Sequence, residues 1–536
     1  MSEFALWLIL SYSGGGLLLL VITAFLLFSL YVAYIHWKYS HIPSPKMNSF
    51  FLGHFPDILN MRKQSRNEFE PFTKMFAKWA EEKGDLFVVF FAFKPLVVSI
   101  NPDDVQRLAY NESVSKSPMN YESLSTLFGT RFMGQGLLTI LDYASWKPRR
   151  KLYNSSFKRS SLKDLLPMFN ECVDTFLEGL RPHADGKTEV SMKEAFHEVA
   201  LDVISKVAFS SDFSKTWDHK SLGLKYTTNS MLSHLSSVGL KGVRRSFSVG
   251  FQTLFELLYP HETETYREAV TAMRRIGRDC IEKRIKAVTS GEEVPNDILT
   301  QILQTSIAAR LVDMETLVDD FVTFYVAGQE TTANTLSFAI ILIHQHPEVL
   351  DRLLSEIADV LGDRKEVTAD DLDKLKYTEQ VIQEVLRMYP PVPNIIKESP
   401  KEGITLSCYH IPEGTPMTVS WIFILMCVCF YISCQFDITV LCRDPEYFTD
   451  PDVFDPSRFD TGKLRPGPFV YFPFGIGHRS CIGRHFAMIE AKVVLTRLLQ
   501  TFKVTLPPSY KLVVEQLGTN QPKGDVPCTL QEVFAG

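Results

Sequence analysis

The sequence lacks the long basic runs that nucleic-acid-binding proteins carry, and its formal net charge over 536 residues is only −6. We therefore predict no nucleic-acid partner. Its nine cysteines are scattered without paired spacing, which argues against a secreted disulfide framework and favours a reducing compartment. No Gly-x-Gly-x-x-Gly follows a predicted strand, so we expect no flavin or nicotinamide domain within this chain.

The sequence does contain a long apolar run at its start. Residues 4–35 carry no charge, and Leu17–Ile35 is close to the roughly 20 apolar residues that span a bilayer. The alternative is a cleaved signal peptide, whose apolar region is only about 7–15 residues long and follows a basic start. Because no Lys or Arg precedes this longer run, residues 1–35 are predicted to be a single retained membrane anchor. Lys38 and Lys46 follow it, so the positive-inside rule places the rest of the chain in the cytosol.

A proline-rich hinge is predicted at residues 36–47, around HIPSPK, and one domain at residues 48–536. With 45% hydrophobic residues the chain can bury a large core. Stretches with a 3.6-residue period, such as EAFHEVALDVISKVAF, predict helices, whereas DLFVVFFAFKPLVVSI and YHIPEGTPMTVS predict strands. The predicted fold class is mainly α with a small β-sheet subdomain.

The most distinctive chemistry lies near the C-terminus, in YFPFGIGHRSCIGRHFAMIEAKVVLTRLL. Gly475 and Gly477 permit a tight turn, and the apolar period over residues 486–499 predicts a helix beginning next to Cys481. Free N–H groups and the positive end of the helix dipole stabilise a thiolate there, and Gly483 leaves room for a large planar group. A lone cysteine is more often buried and inert, so this pattern alone does not establish a ligand.

The spacing Phe474-x-x-Gly477-x-Arg479-x-Cys481-x-Gly483 resembles the haem-binding loop of the cytochrome P450 superfamily, and the resemblance extends over essentially the whole chain. It implies the P450 fold and one haem b, with the Cys481 thiolate as axial iron ligand and the other four named residues as cofactor-binding residues. An axial thiolate donates electron density that favours cleavage of the O–O bond.

A second part of the resemblance is FVTFYVAGQETTANTLSFAI, in a predicted helix that ends before Pro347. The small pair Ala327-Gly328 is expected to loosen this helix, so that the Thr331 hydroxyl turns inward instead of bonding the carbonyl one turn back. The resemblance implies that Thr331 and Glu330 are catalytic and relay protons to dioxygen. The alternative is a plain core helix with a solvent-facing Glu330 and a back-bonded Thr331.

A third part is Glu384-x-x-Arg387, which places a carboxylate and a guanidinium one turn apart on a helix. On a solvated face such a pair contributes only a few tenths of a kcal/mol. The resemblance adds Arg458, from FDPSRF, as the third member of a structural cluster that holds the Cys481 loop.

A fourth part is Trp146-x-x-x-Arg150 in ASWKPRRKLY, with both side chains on one helix face. The resemblance implies that this pair and Arg479 bind the haem propionates, because the planar guanidinium donates two parallel hydrogen bonds to a carboxylate. Lys397 stands where the family often has arginine, so its contact with a propionate is expected to be that of a point charge.

The substrate is less constrained by the sequence. HIPSPKMNSFFLGHFP, FGTRFMGQGLL, RSSLKDLLPMFNE and GEEVPNDILTQIL most resemble the microsomal cholesterol 24-hydroxylase family, which implies a sterol substrate. The predicted apolar pocket over the haem is lined by Phe324, Ala327, Val392 and Ile395, although such residues are more often plain core. A second set is predicted to dip into the membrane beside basic residues: Phe247, Phe251, Phe255 and Leu257, with Lys241, Arg244 and Arg245.

The implied activity is hydroxylation of an unactivated C–H bond with O₂ and electrons from NADPH–cytochrome P450 reductase, at the endoplasmic reticulum membrane. Lys147, Arg149 and Lys151 are predicted to form part of the reductase-docking face. Two alternatives stay open: a haem-thiolate isomerase or dehydratase of lipid peroxides, which needs no reductase, and a non-catalytic haem-binding protein. Relatives of the first kind typically lack the pair that Glu330 and Thr331 provide.

The apolar segment Trp421–Asp437, WIFILMCVCFYISCQFD, does not fit this pattern. It is long enough for a second membrane span, but a crossing there would separate Cys481 from Trp146 and Thr331, which bind one haem in the implied site. A zinc site is equally unsupported, because its three cysteines, Cys427, Cys429 and Cys434, have no histidine or fourth cysteine at suitable spacing. We therefore interpret residues 421–437 as an insertion.

Overall fold

The computed structural model describes residues 3–57, 60, 70–116, 118–211, 256–309, 313–392, 396–419, 442–460, 467–516 and 519–533. Three groups of predictions fall outside these ranges: the segment Trp421–Asp437, the pocket residue Ile395, and the membrane-dipping set except Leu257. In chain order the α-helices are α1 (Glu3–Lys38), α2 (Glu70–Lys83), α3 (Pro102–Tyr110), α4 (Pro118–Ser125), α5 (Tyr143–Tyr153), α6 (Arg159–Asp164), α7 (Leu166–Leu180), α8 (Met192–Val203), α9 (Pro260–Ser290), α10 (Ile298–Ala308), α11 (Met314–Gln345), α12 (Pro347–Leu361), α13 (Ala369–Lys374), α14 (Lys376–Met388) and α15 (Arg484–Thr501).

The strands are short and form one larger sheet and several small ones. They are β1 (Leu86–Phe91), β2 (Lys94–Ser99), β3 (Ser115–Lys116), β4 (Thr126–Leu127), β5 (Thr130–Arg131), β6 (Asp185–Ser191), β7 (Ile396–Glu398), β8 (Ile404–Leu406), β9 (Tyr409–Ile411), β10 (Pro416–Val419), β11 (Phe502–Thr505), β12 (Val514–Gln516), β13 (Asn520–Pro522) and β14 (Pro527–Glu532). The larger sheet has the order β1-β2-β10-β7-β3, and its pairs are antiparallel except for the parallel pair of β10 and β2. The order β11-β14-β6 forms a second sheet, and β12-β13, β4-β5 and β8-β9 are two-stranded. The predicted fold class is confirmed.

Helix α11 is the central element of the core. Asp313 caps it by accepting a hydrogen bond from the Thr316 backbone N–H, and Pro347 begins the next helix directly after it. Most of its side chains are buried around the whole circumference, including polar ones such as Asp319 and Asp320, as expected for a helix in the centre of a large protein. Helices α8, α9, α14 and α15 pack against it.

The small residues in the middle of α11 serve close packing. Helix α8 continues into one π-helical turn, Ile204–Ala208, and a Cβ on Gly328 would lie 2.9 Å from the Ile204 side chain. Gly328 is therefore required for close contact between the two helices. The helix continues without a break through Ala327-Gly328, so the prediction of a loosened helix is wrong.

The N-terminal helix and the segment after it are joined firmly to the sheet. Within α1, residues Gly16–Lys38 are long and apolar enough to cross a membrane, with a mean hydropathy of 2.5 and only 6% burial. The helix extends three residues past the predicted boundary at 35. The segment that follows is held at several points: the Val88 N–H donates to the Pro43 carbonyl at 2.8 Å, and the Tyr39 hydroxyl lies 2.8 Å from that of Thr415. The predicted hinge is thus fixed against the domain.

Candidate haem site

The Cys481 loop is built by two glycines and a backbone bridge. Gly475 and Gly477 adopt φ values of +69° and +75°, a region that L side chains rarely occupy. A Cβ on Gly477 would lie only 2.1 Å from the Ala109 carbonyl oxygen, at the end of α3. The Cys481 N–H donates to the Phe474 carbonyl at 2.7 Å and closes the loop. Gly477 therefore shapes the loop through its backbone, and Phe474 contributes a carbonyl as well as a ring.

Protein surrounds Cys481, yet its side chain is exposed. The exposed side of Cys481 therefore borders a space inside the protein. Burial raises the pKa of the Cys481 thiol, whereas the Gly483 N–H and the charges of Arg150 and Arg484 lower it. A Cβ on Gly483 would lie 3.8 Å from the sulfur. A bound metal ion outweighs the burial effect, because a coordinating thiol loses its proton.

Four positively charged side chains surround this region, and we call them the cation cluster: Lys116, Arg150, Lys397 and Arg479. The Arg479 guanidinium donates to the carbonyls of Ile140 and Leu141 at 2.8 and 2.9 Å, and it lies 4.3 Å from the ring centre of buried Trp146. Arg150 donates to the Ser480 carbonyl at 2.7 Å and to Asn154. The structure thus brings together the residues predicted to bind propionates.

Lys116 is a member that sequence reasoning missed. It lies opposite Lys397 in the pairing of β3 with β7, and both lysines are only 7% exposed. Burial lowers the pKa of Lys397 to about 8. Burial, together with the charges of Arg479, Lys397 and Arg150, holds the pKa of Lys116 well below its usual value. Sequence analysis could have found Lys116 only by predicting that these two distant strands pair.

The cation cluster tests whether these residues fit a haem. No carboxylate among the described residues forms an ion pair with any of its four members; Lys116 instead donates to the Leu138 carbonyl and lies over the Tyr121 ring. Buried positive charges without a counter-charge are costly. Two propionate carboxylates supply that charge, so the residues fit a haem whose acidic edge faces the cluster.

The predicted structural cluster is formed by Glu384, Arg387 and Arg458. Arg387 donates two hydrogen bonds of 2.7 Å to the Glu384 carboxylate, and both side chains are fully buried. Arg458 donates to the same carboxylate at 3.3 Å. Arg387 also donates to the carbonyls of Cys442 and Pro451, at 2.7 and 2.8 Å. The cluster therefore fastens α14 to the chain that leads towards the Cys481 loop.

The Thr331 hydroxyl does not turn inward as predicted. It donates to the Ala327 carbonyl, one turn back, at 2.7 Å. A Thr hydroxyl in a helix bonds this carbonyl in one of its two common rotamers. Ala327 is exposed and Thr331 partly so, although both neighbours in the core, Val326 and Thr332, are buried. Together with Gly328, which is also only partly buried, they form the accessible face of this part of α11.

Glu330 is turned away from solvent, so the alternative of a plain core helix is right about the back-bonded Thr331 and wrong about a solvent-facing Glu330. Its side chain is 10% exposed. One carboxylate oxygen accepts hydrogen bonds from the Thr519 hydroxyl at 3.0 Å and from the Asn334 amide at 3.4 Å. The other oxygen lies 3.8 Å from Nδ1 of His197, on α8. Sequence reasoning missed His197 and Thr519 because they reach Glu330 from other elements.

The remaining predicted residues are placed as follows. The Phe324 ring contacts Tyr153 and Phe157, with centroid distances of 6.0 and 5.3 Å, so it belongs partly to the core. Val392 is 45% exposed and Leu257 is 77% exposed. Both are available for contact with a ligand or a lipid.

The predicted docking residues of α5 differ among themselves. Lys147 pairs with Glu112 at 3.0 Å and is largely exposed, as is Lys151. Arg149 pairs with buried Asp320 at 2.6 Å and is only 19% exposed. The prediction that Arg149 docks a partner is wrong, because its charge is already used inside the protein.

A mainly helical fold, a cysteine in a glycine loop before a helix, and a cation cluster with two buried lysines and no paired carboxylate among the described residues together define the class of haem-thiolate proteins. The family model for cytochrome P450 matches residues 43–427 and 432–526. The chain belongs to the cytochrome P450 family of monooxygenases, whose haem iron is held by a cysteine thiolate. The gap in the match at residues 428–431 lies inside the segment Trp421–Asp437.

Individual relatives agree with this assignment. Cytochrome P450 4d2 of Drosophila melanogaster is 31% identical over 447 residues, which cover 80% of this chain and 83% of that protein. Cytochrome P450 3A6 of Oryctolagus cuniculus is 28% identical over 443 residues, covering 79% and 80%. The crystal structure of the cytochrome P450DA heme domain superposes with a TM-score of 0.73 at 22% identity, covering 92% of this chain and 98% of that one. This last similarity supports the fold.

Proposed function

We propose that this chain is a microsomal monooxygenase that hydroxylates an unactivated C–H bond of a lipophilic substrate, namely a sterol side chain. Its electrons come from NADPH–cytochrome P450 reductase, and residues 1–35 anchor it in the endoplasmic reticulum membrane. The observation that carries the monooxygenase assignment is the pair in α11, where Thr331 borders open space and Glu330 is buried next to it. Isomerisation of a peroxide needs no external protons, so such a pair would have no task there.

In this proposal each part of the site has one role. Cys481 would hold the haem iron through its thiolate, with Phe474, Gly477 and Gly483 shaping the loop around it. Trp146 and the cation cluster hold the propionates, and haem supplies the activation of O₂ when bound. The Glu384 cluster keeps the Cys481 loop in place.

Thr331 must change its hydrogen bond to act. Its hydroxyl proton is directed at the Ala327 carbonyl, and rotation about χ1 would free it to donate into the open space beside it. Threonine has two accessible χ1 rotamers in a helix, so the rotation is cheap. Glu330 then restores the proton as the general acid behind it.

The sterol assignment rests on the resemblance of four sequence stretches to the cholesterol 24-hydroxylase family and on the predicted apolar lining, Phe324, Ala327, Val392 and Ile395. An apolar pocket with few polar groups suits a ligand of this kind. Exposed Leu257 and the anchor helix would keep the entrance near the lipid phase from which a sterol is drawn.

The test is turnover by the purified holoenzyme with reductase and NADPH, over a panel of sterols and fatty acids. Hydroxylated sterol at the expense of NADPH supports the proposal, together with a substrate-induced shift of the haem absorption band. Turnover of a lipid hydroperoxide without reductase would instead indicate an isomerase, and neither reaction would indicate a binding protein. Cys481→Ala should abolish the thiolate-type absorption band of the reduced carbon monoxide complex.

Thr331→Ala serves as the diagnostic variant for the relay. Loss of the hydroxyl should leave NADPH consumption but divert it to hydrogen peroxide, because protons no longer reach dioxygen in time. Thr335→Ala is the matched control, since Thr335 bonds the Thr331 carbonyl in the same way and is buried. Equal coupling in Thr331→Ala and the wild type would contradict the assigned role.

A further inference from the structure

The two carboxylate oxygens of Glu330 have different surroundings. Oε1 accepts from the Thr519 hydroxyl and the Asn334 amide, at 3.0 and 3.4 Å, and Asn334 also donates to Thr519 at 3.0 Å. These contacts fix the orientation of the carboxylate. Oε2 is left facing Nδ1 of His197 at 3.8 Å, about 1 Å longer than an N–H···O hydrogen bond.

His197 is the more exposed member of this pair. Its side chain is 15% exposed, against 10% for Glu330. It lies on α8 one turn after Lys193, which is half-buried and donates to the carbonyls of Pro522 and Gly524. An imidazole has two nitrogens, so it can accept a proton at one and release a proton from the other.

A second acceptor is available on the same side. The Oδ1 atom of Asn334 is buried and has no hydrogen-bond partner among the described residues. An unsatisfied buried acceptor is costly. A charged His197 has a donor on each nitrogen. The Asn334 side chain and Oε2 of Glu330 are its neighbouring acceptors.

We propose that His197 is the proton-supplying partner of Glu330: it takes protons from water and hands them from Nδ1 to Oε2 when the two atoms close from 3.8 Å to hydrogen-bond distance. Glu330 passes them on towards Thr331. The proposal rests on the relay role of Glu330 given above. The transfer is balanced, because His197 loses the proton that Glu330 gains and recovers one from solvent. His197 is thus a positioning residue that acts through Glu330.

The charges facing His197 determine when it carries a proton. Burial lowers its pKa, Glu330 of α11 raises it, Lys193 of its own helix lowers it, and Asn334 and Glu194 raise it. Lys193 is itself surrounded by Glu515, Glu330, Asp525 and Glu194. Since the charged form is the donor, proton supply is present below the pKa of His197 and declines as pH rises above it.

The contact is tested first without turnover. Hydrogen–deuterium exchange at the imidazole C2 position, followed by mass spectrometry of the holoenzyme, gives the pKa of each histidine. In Glu330→Gln the pKa of His197 should fall by about one unit, because an opposite charge within about 4–6 Å is lost. Exposed His183 is the internal control and should not move. An unchanged pKa of His197 would overturn the pairing.

The role is tested by coupling, the fraction of consumed NADPH recovered as hydroxylated product, between pH 6 and 8.5. In the wild type it should decline as pH rises above the pKa obtained by exchange, and in His197→Gln it should be at least severalfold lower and independent of pH. His183→Gln is the matched control. The wild-type profile alone decides the matter if His197→Gln does not fold, since a flat profile contradicts the proposal.

The variants Glu330→Gln and His197→Gln distinguish a failure of the relay from a failure of His197 as its proton source. If Glu330→Gln couples as well as the wild type, the relay role of Glu330 is wrong and His197 has nothing to supply. If Glu330→Gln is uncoupled while His197→Gln keeps the wild-type coupling and profile, the relay stands and the role of His197 is wrong.

Discussion

The Glu384 cluster and the cation cluster differ in what neutralises their charges. In the Glu384 cluster the carboxylate is bonded by both arginines, and their remaining N–H groups donate to backbone carbonyls. In the cation cluster the described hydrogen bonds go to neutral carbonyl and amide oxygens, and no ion pair with a described carboxylate balances its four charges. The charges of the Glu384 cluster are compensated within the protein, whereas those of the cation cluster are compensated only when an anion binds.

This difference distinguishes the charges that stabilise the fold from those that bind the ligand. A buried pair that loses one member leaves an uncompensated charge and destabilises the protein under all conditions. Removing a charge that lacks a partner should increase the free energy of unfolding of the haem-free protein and should destabilise only the haem-bound form. Substitutions in the two clusters should therefore differ in the sign of their effect when haem is absent.

The largest effect is expected for Arg387→Met. Glu384 would remain fully buried with only the Asp455 backbone N–H, at 3.0 Å, and Arg458, at 3.3 Å, as donors. The carbonyls of Cys442 and Pro451 would lose their donor. The free energy of unfolding should fall by about 3–5 kcal/mol, as measured by urea denaturation. Lys147→Met, which removes the exposed pair with Glu112, is the control and should cost about 0–1 kcal/mol. A similar small loss for both would mean that the Glu384 cluster is not structural.

Next in size is Lys116→Met, which should act with opposite sign in the two forms. The haem-free protein should gain about 1–3 kcal/mol, because an unpaired buried charge is removed. The holoenzyme should lose haem faster to a scavenger protein, since one propionate contact is gone. Exposed Lys151→Met is the control for both measurements. Stabilisation of both forms, or of neither, would break the distinction between the clusters.

The sequence predicted the Glu384 cluster and could not predict all of the cation cluster, for a physical reason. Glu384 and Arg387 are one turn apart on a single helix, so their contact follows from local geometry. Lys116 lies on a strand of two residues, and its position opposite Lys397 depends on the order β7-β3 in the sheet. Non-local pairing of this kind leaves no periodic signal.

The same limit applies to α11. The adjacency of Glu330 and Thr331 is visible in the sequence, but the direction of each side chain depends on what covers the helix. His197 and Thr519 arrive from α8 and from the chain just before β13, and they decide that Glu330 is buried. The sequence predicts that Gly328 loosens the helix, whereas in the structure Gly328 allows close packing against the Ile204 side chain.

A smaller effect is expected from pH in the haem-free protein. The pKa of Lys397 is lowered from 10.5 to about 8 by burial, so the folded state binds fewer protons than the unfolded state between these values. Stability should therefore rise as pH increases from about 8 to about 10.5. Urea midpoints at several pH values would show this rise, and Lys397→Met should reduce it to the part that buried Lys116, whose pKa is also lowered, contributes. In the holoenzyme a propionate keeps Lys397 charged, so the part due to Lys397 should vanish there too.

The smallest effect is expected from deleting residues 421–437, none of which is a member of either cluster. Arg387 holds the chain from Cys442 onwards, and β10 holds it up to Val419 by pairing with β2 and β7. The deletion variant retains all of these contacts. Shortening the connection about fourfold lowers its closure cost by about 1 kcal/mol, and a long uncharged apolar stretch that favours aggregation is removed. Soluble yield and haem content per protein should be equal or higher, with an unchanged urea midpoint or a slightly raised one. Loss of haem from the deletion variant, with the full-length protein active, would show that the segment is part of the fold.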